Sequence, residues 1–392
     1  MRLLIKKYLS GFNLDIRQSH NARFMDQKVT PDVLSFIAEC IVNYADGTGQ
    51  YDFTINDIWR SQYFIVNAQA VFSKPSPLSL LAQHEYDKFI AQPIKALEYA
   101  KVLSAANSGK STIYLIQRRD ILDYIASDVR SAFYFLCEYV TKVLEDSSFY
   151  IYIQNIEKLY KQNHLTPAHF LDIKRRFQRL IIGNTPIRGA VEVNRIFPKI
   201  FNVIAADKII PGTIAGRLTD SCFYYSDLMY NRVNWRDRNK NKRFTRQEAA
   251  RLNQGVITSS QHRVEKAKNF IKCMYEQSEL QDQWGNGPAD HVHHIFPINL
   301  FPAIADYIEN LIKLTGTQHC SKAHPRGNTH VVDAQYQKDC LIAKSISIER
   351  SLRMGQEYYK KEFFIQVINV GYRTNLNFSL NFDDIRRQVQ SV

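Results

Sequence analysis

Six of the chain's eleven histidines, His291, His293, His294, His319, His324 and His330, fall within forty of its 392 residues, in a stretch that also carries Asp290 and Asn310. These residue types suit hydrolysis of a phosphodiester. That reaction needs an activated water, positive charge against the oxygens of the five-coordinate phosphorus, and a fixed geometry between the two. A neutral imidazole takes the water's proton, neighbouring imidazoles or a carboxylate hold a divalent ion, and an asparagine amide oxygen accepts from the second imidazole nitrogen to fix the tautomer. His293 and His294 are adjacent and would leave a regular strand on opposite faces. A strand end or turn is therefore expected there, which Pro297 suits. Taken singly, His291 and His330 read as ordinary core or surface residues, and a structural metal site is the competing reading of the whole cluster.

From His294 the chain runs sixteen residues to Asn310, nine more to His319 and five more to His324. The run His293-His294-Ile295-Phe296-Pro297, followed by Asn310-Leu311-Ile312-Lys313-Leu314-Thr315 and His319, resembles the HNH nuclease motif of the ββα-metal fold. The resemblance covers residues 290 to 344, and within that family it is most similar to HNH-type restriction endonucleases. It implies His294 as general base, Asn310 as the group orienting it, His293 and His319 as metal ligands, and one divalent cation. Mg²⁺ is the first choice for that ion, with Mn²⁺ or another divalent ion as alternatives. Asp290 or His291 competes with His293 for the first ligand position. A four-residue step would put the last two histidines on one α-helical face, whereas here the step is five and Pro325 follows at once. His324 is accordingly either a third ligand or a phosphate contact. The four-cysteine zinc knuckle found around the motif in many family members is absent, since the six cysteines form no C-x-x-C pair. Lys313, Lys322, Arg326 and Asn328 are candidates to hold the scissile phosphate, or are simply solvated.

Charge supports a polyanionic partner. The chain has 51 Lys and Arg against 38 Asp and Glu, a net +13, and such an excess favours nucleic acid or an acidic membrane face. Basic density peaks at Arg232, Arg236, Arg238, Lys240, Lys242, Arg243, Arg246 and Arg251, with Trp235 and Phe244 interleaved. Cations of this density neutralise phosphates with release of counterions, and the rings pack on sugar or base. A solvated face or a localisation signal would look similar. Lys174, Arg175, Arg176 and Arg179 cluster on one side of a second candidate segment.

Those residues must be positioned by a helix-rich α+β chain. Thr30-Pro31 opens a helix through about Tyr44, and further helical patterns run from Phe53 toward Phe72 and from Glu85 to Ser104, the latter with Pro93 as a kink or early break. Ser111 to Gln117 has strand composition, and Asp120 to Asp146 reads as one amphipathic helix. Thr166-Pro167 repeats the cap-and-proline signature. NSGKST, residues 107 to 112, lacks the first glycine of a phosphate-binding loop, so no nucleotide cofactor is expected. Turn formers at 183–186 suggest a boundary between a helical DNA-recognition or dimerisation domain, 1–183, with a winged-helix-like form as one option, and a basic catalytic domain, 184–392, holding the HNH module. No apolar stretch is long enough for a membrane span, and the cysteines read as reduced core residues, so a cytoplasmic protein is expected.

The combined expectation is a site-specific, type II-like restriction endonuclease that cuts double-stranded DNA and acts as a homodimer, because twofold symmetry matches a palindromic target. The alternatives are a modification-dependent or nicking HNH nuclease, and a non-catalytic DNA-binding regulator with a structural metal.

Overall fold

The computed structural model describes residues 1–72, 76–79, 83–108, 111–230, 261–324 and 332–392. The chain is α+β, rich in helix with small sheets, and divides into two compact units, Met1–Ser259 and Ser260–Val392.

In the first unit the helices are α1 (Arg2–Ser10), α2 (Ile16–Ser19), α3 (Pro31–Thr48), α4 (Ile55–Arg60), α5 (Gln62–Phe72) and α6 (Gln83–Tyr99). They are followed by α7 (Arg119–Ser127), α8 (Val129–Asp146), α9 (Tyr150–Lys161), α10 (Pro167–Asn184) and α11 (Ala190–Lys208). Strands β1 (Asp52–Phe53), β2 (Leu103–Ser108) and β3 (Ser111–Ile116) pair in the order β1-β3-β2, and β4 (Pro211–Ile214) pairs with β5 (Arg217–Cys222). The core lies on α3 and α8, whose apolar residues are almost wholly buried, with the Phe36 ring packed among Phe64, Phe72 and Phe89. The expected helix starts at Pro31 and Pro167 are present. Of NSGKST, Asn107 and Ser108 end β2 and Ser111 and Thr112 begin β3, with Ser108 paired to Ser111, while residues 109 and 110 lie outside the described residues.

Three expectations are corrected by local backbone chemistry. The segment 120–146 is two helices, because Asp128 is extended (φ −163°, ψ 165°) and its carboxylate accepts from the Arg130 and Ser131 amides as the N-cap of α8. The apolar stripe carries across the break, which is why periodicity reads through it. Phe53–Phe72 likewise divides: Phe53 is in β1, Thr54 caps α4, and Ser61 separates α4 from α5. Conversely, α6 passes through Pro93 without ending and stops at Tyr99, and Ser104 is on β2. Asp128→Ala is expected to cost about 1 kcal/mol. Calorimetry should register this as a first-unit Tm lower by about 2–4 °C, and an unchanged Tm would remove the capping role.

The compact units part at 259/260, whereas residues 183–186 are the end of α10 and the start of its connection to α11, and these two helices pack on each other in the first unit. Turn formers marked a surface connection there, and the apolar faces of both flanking helices are buried on the same side of it, through Phe170, Phe177, Phe197 and Phe201.

The second unit begins with α12 (261–274). Strands β6 (His291–His294) and β7 (Leu311–Leu314) then form an antiparallel pair, followed by a π-helical turn over Gln318–Ala323 and by α13 (Ala334–Arg353), α14 (Lys361–Tyr372) and α15 (Phe382–Ser391). Pairing joins His291 to Leu314, His293 to Ile312 and His294 to Leu311. A fully buried ion pair, Lys344 Nζ to Glu279 at 3.1 Å, anchors β7, since Glu279 Oε1 also accepts the Lys313 amide at 3.0 Å. The Lys344 ammonium further donates to Tyr359 Oη at 2.8 Å. The Phe296 ring lies so close to Gly371 of α14 that a Cβ there would overlap it. Among the described residues no helix is long and apolar enough to cross a membrane. Cys40, Cys137 and Cys340 are buried, Cys222 is half-buried, and Cys273 and Cys320 are exposed, so the expectation of mainly core cysteines holds for half of them.

Candidate metal centre and catalytic cleft

Alternation along β6 sends His291 and His293 to one face and His294 to the other. His293 meets His319 and His324 with ring centroids 5.3 and 4.9 Å away, and His319 and His324 are 4.9 Å apart. One ligand nitrogen from each of these three lies within 4.8 Å of the other two. The buried Nε2 of His293 has no hydrogen-bond partner. An unbonded buried nitrogen is costly, and its position among two further imidazoles fits a bound cation. His291 stacks parallel on His319 at 4.9 Å and supports the ring without joining the triad. Asp290 is exposed and outside it.

The five-residue step from His319 to His324 is accommodated by the backbone. Residues 318–323 are wound as a π-helix, whose i→i+5 repeat brings together residues that an α-helix would separate. Fully buried Gln318 holds this turn: its Oε1 accepts from the Thr315 amide (3.0 Å) and Ser278 Oγ (2.6 Å), and its Nε2 donates to Leu280 O (2.8 Å). The question left by the spacing is thus answered geometrically, with His324 beside His293 and His319.

His294 ends β6, and His293 and His294 border the same cleft of about 450 Å³, together with His291, His319, His324 and Lys268. His294 Nε2 lies 3.0 Å from the carbonyl oxygen of Ala305. A carbonyl only accepts, so Nε2 carries the proton and Nδ1 keeps its lone pair. Asn310 does not make the contact expected of it. It ends the 3₁₀ turn Ile308–Asn310, immediately before Leu311, the cross-strand partner of His294, and its side chain is taken up by the loop between the strands. There Oδ1 accepts from the Phe296 amide (2.8 Å), and Nδ2 donates to Phe296 O (3.0 Å) and Ile304 O (3.2 Å). Asn310 thereby closes the loop that presents the Ala305 carbonyl, and orients His294 at one remove.

Burial is the main cause that depresses the imidazole pKa values. His293 is pushed well below its ordinary value by desolvation, then by His324, His319 and His294. His319 is lowered to about 4 by burial and then by His324, His291 and Lys268. His294 is lowered to about 4 by burial, against a smaller opposing effect of the Ala305 carbonyl. All three are neutral at pH 7, the state that ligates metal or accepts a proton. Unfolded imidazoles protonate near pH 6.5, so between about 6.5 and 4 the unfolded chain binds more protons and stability falls as the pH falls. Denaturant titrations in EDTA from pH 7.5 to 4 should show this decline, and His319→Ala should make it shallower. An equally steep decline in that variant would contradict the assignment.

The basic candidates separate into groups. Lys313 is buried, its ammonium donating to the carbonyls of Lys272 and Tyr275, so it is unavailable to a phosphate. Lys322 lies over the Trp284 ring at 4.2 Å. On α10, Arg176 pairs with Asp172 at 2.7 Å and stacks on Tyr152, Arg175 is exposed, and Lys174 is half-buried. Arg326, Asn328, His330 and the whole run from Arg232 through Arg236, Arg238, Lys240, Lys242, Arg243 and Arg246 to Arg251 lie outside the described residues. Lys268 is the cleft residue that sequence reasoning missed: one of several basic residues of α12, it carries no signal until folding sets that helix beside the histidines.

No protein-family model, curated protein or solved structure matches the chain.

Proposed function

We propose that the chain is a divalent-metal-dependent DNA endonuclease of the HNH type, with type II-like, site-specific cleavage as its role and a homodimer as its working form. The observation that carries this reading is the meeting of the His293, His319 and His324 triad with His294 on one cleft, lined by β6 and by the π-helical turn that follows its partner strand β7. That is the order of parts expected of a ββα-metal module. Among the described residues the site has three donors, which suits a centre that leaves a position for substrate, whereas structural tetrahedral sites usually fill four. This favours catalysis over the structural-metal regulator.

In the proposed reaction His294 Nδ1 accepts a proton from water as that water attacks phosphorus, the bond to the 3′ oxygen breaks, and that oxygen takes a proton from solvent, leaving a 5′-phosphate and a 3′-hydroxyl. His293, His319 and His324 would hold one divalent ion, which supplies positive charge to the developing oxyanion. All three donors are imidazoles, and imidazole suits Zn²⁺, Ni²⁺ or Fe²⁺ better than Mg²⁺. We therefore place such an ion ahead of the Mg²⁺ that the resemblance implies. Lys268, at the cleft wall, would attract the scissile phosphate. The first unit would be the DNA-reading body.

The test is incubation of supercoiled and linear, fully sequenced DNA with the protein in Mg²⁺, Mn²⁺, Ni²⁺ or Zn²⁺ and in EDTA, with end mapping. Discrete fragments bearing 5′-phosphates are expected, and a single nick would favour the nicking variant. DNA bound but left intact in every metal would overturn the nuclease reading.

A further inference from the structure

We propose that a cleft in the first unit, distinct in its residues from the histidine cleft, binds a phosphate ester of a nucleotide, free or within a strand. The cleft has a volume of about 760 Å³, within the range of ligand sites and too large for one inorganic ion. Its walls come from the start of α3, from α10 and α11, from the β4–β5 hairpin and from the segment ending at Tyr230.

Its charge is one-sided. Lys28, Lys174, Arg195 and Lys199 line it, and among the described lining residues Asp227 is the one carboxylate, its Oδ2 accepting the Tyr224 amide at 3.0 Å. Asp32, at the start of α3, lies behind the lining and receives the Tyr230 amide on both oxygens, at 3.1 and 3.0 Å. Arg195, Lys199 and Asn202 are spaced by four and three residues and share one face of α11. Lys174 reaches the turn of the hairpin, where Gly216 adopts φ +77° and a Cβ would stand 3.4 Å from the Lys174 ammonium. Neither Lys174 nor Arg195 has an ion-pair partner among the described residues. The Lys28 ammonium lies over the Tyr230 ring at 4.6 Å and donates to its hydroxyl at 2.8 Å, so an aromatic group borders the cationic one.

An independent observation points to a missing ligand. Thr213 lines the cleft and is 2% exposed, yet its buried Oγ1 has no hydrogen-bond partner. Its backbone is fully engaged: the amide donates to Asn202 Oδ1 at 2.7 Å and the carbonyl accepts from Asn202 Nδ2 at 3.0 Å. Buried hydroxyls are normally bonded. This one stands in the wall of a cationic cleft without a partner, and a phosphate oxygen reaching it would supply the acceptor.

The test uses the full chain in EDTA, so that it reads binding without hydrolysis. The probes are tripolyphosphate, dAMP and a labelled 20-base-pair duplex, measured by calorimetry or anisotropy. Lys174→Gln with Arg195→Gln is expected to weaken binding at least tenfold, ~1.4 kcal/mol. Thr213→Val is expected to weaken it to a similar degree while leaving the Tm of the ligand-free protein unchanged or higher, which separates a ligand contact from a folding defect. Lys158→Gln with Lys161→Gln on α9 removes the same charge elsewhere and should change affinity less than twofold. Binding of dAMP or tripolyphosphate identifies a free ligand, and binding of the duplex alone identifies a strand. Wild-type affinity in either cleft variant, equal loss in the α9 control, or no binding by any probe overturns the proposal. A chain that binds in this way and never cuts DNA would refute the nuclease reading alone.

Discussion

Alanine at position 294 is expected to slow DNA cleavage by roughly 10²–10⁴, the usual contribution of a positioned general base, while metal binding stays intact. The expectation follows from the division of labour on β6. His294 lies on the face opposite His293 and is held through Nε2 by the Ala305 carbonyl, with Nδ1 left for a proton. Its imidazole is pushed down to about 4 by burial, so it is already unprotonated at neutral pH, and it is no member of the triad. His294→Ala should therefore bind DNA and metal as the parent does and fail in the chemical step. Single-turnover cleavage at saturating protein isolates that step, and a calorimetric trace checks the fold. A variant that cuts at the parental rate would exclude His294 as the base.

His319→Ala is expected to fail for a different reason. Removing one of three imidazole donors should weaken metal binding by at least the ~100-fold that even outer contacts can cost. Metal that binds only the folded state stabilises it by about 2.7 kcal/mol at one hundred times its dissociation constant. At the same concentration a hundredfold weaker site adds only about 0.4 kcal/mol by the same relation. The metal-induced rise in the Tm of the second unit should accordingly almost vanish in His319→Ala and persist in His294→Ala. His319 is the useful position because it is half-buried and keeps its backbone in the π-helical turn. An undiminished rise in His319→Ala would mean that the metal binds elsewhere, and cleavage by that variant at the parental rate would remove the centre from the mechanism.

The two substitutions together separate a proton acceptor from a metal ligand, and a regulator with a structural metal from an enzyme. In a regulator His319→Ala would lose stability and DNA binding, whereas His294→Ala would change little. In the proposed nuclease both lose cleavage and only one loses the metal.

Much of this was legible in residue order, because some properties are local. Apolar spacing and cap signatures marked α3 and α10, β-branched composition marked β3, and the concentration of histidines marked where chemistry should lie. The adjacency of His293 and His294 already required a strand end, which β6 supplies. Other features depend on atoms far apart in the chain. An extended Asp128 inside a continuous stripe is invisible to periodicity, since both helices present that stripe to the same core. The five-residue step to His324 argued against a shared helical face until the π-helical winding, fixed by Gln318 reaching Ser278 and Leu280, removed the objection. The resemblance likewise assigned Asn310 to His294, but hydrogen bonds hold that amide on Phe296 and Ile304 and leave the contact to Ala305. Lys313 stands beside the motif in sequence and is withdrawn from it by two carbonyls of the preceding segment, while Lys268 enters from a helix with no motif at all. Residue types and helix faces are set within a few neighbours, so the order of amino acids determines them. Which nitrogen meets which carbonyl, and which cation faces a cleft, is set by packing between distant segments, so only the folded chain decides it.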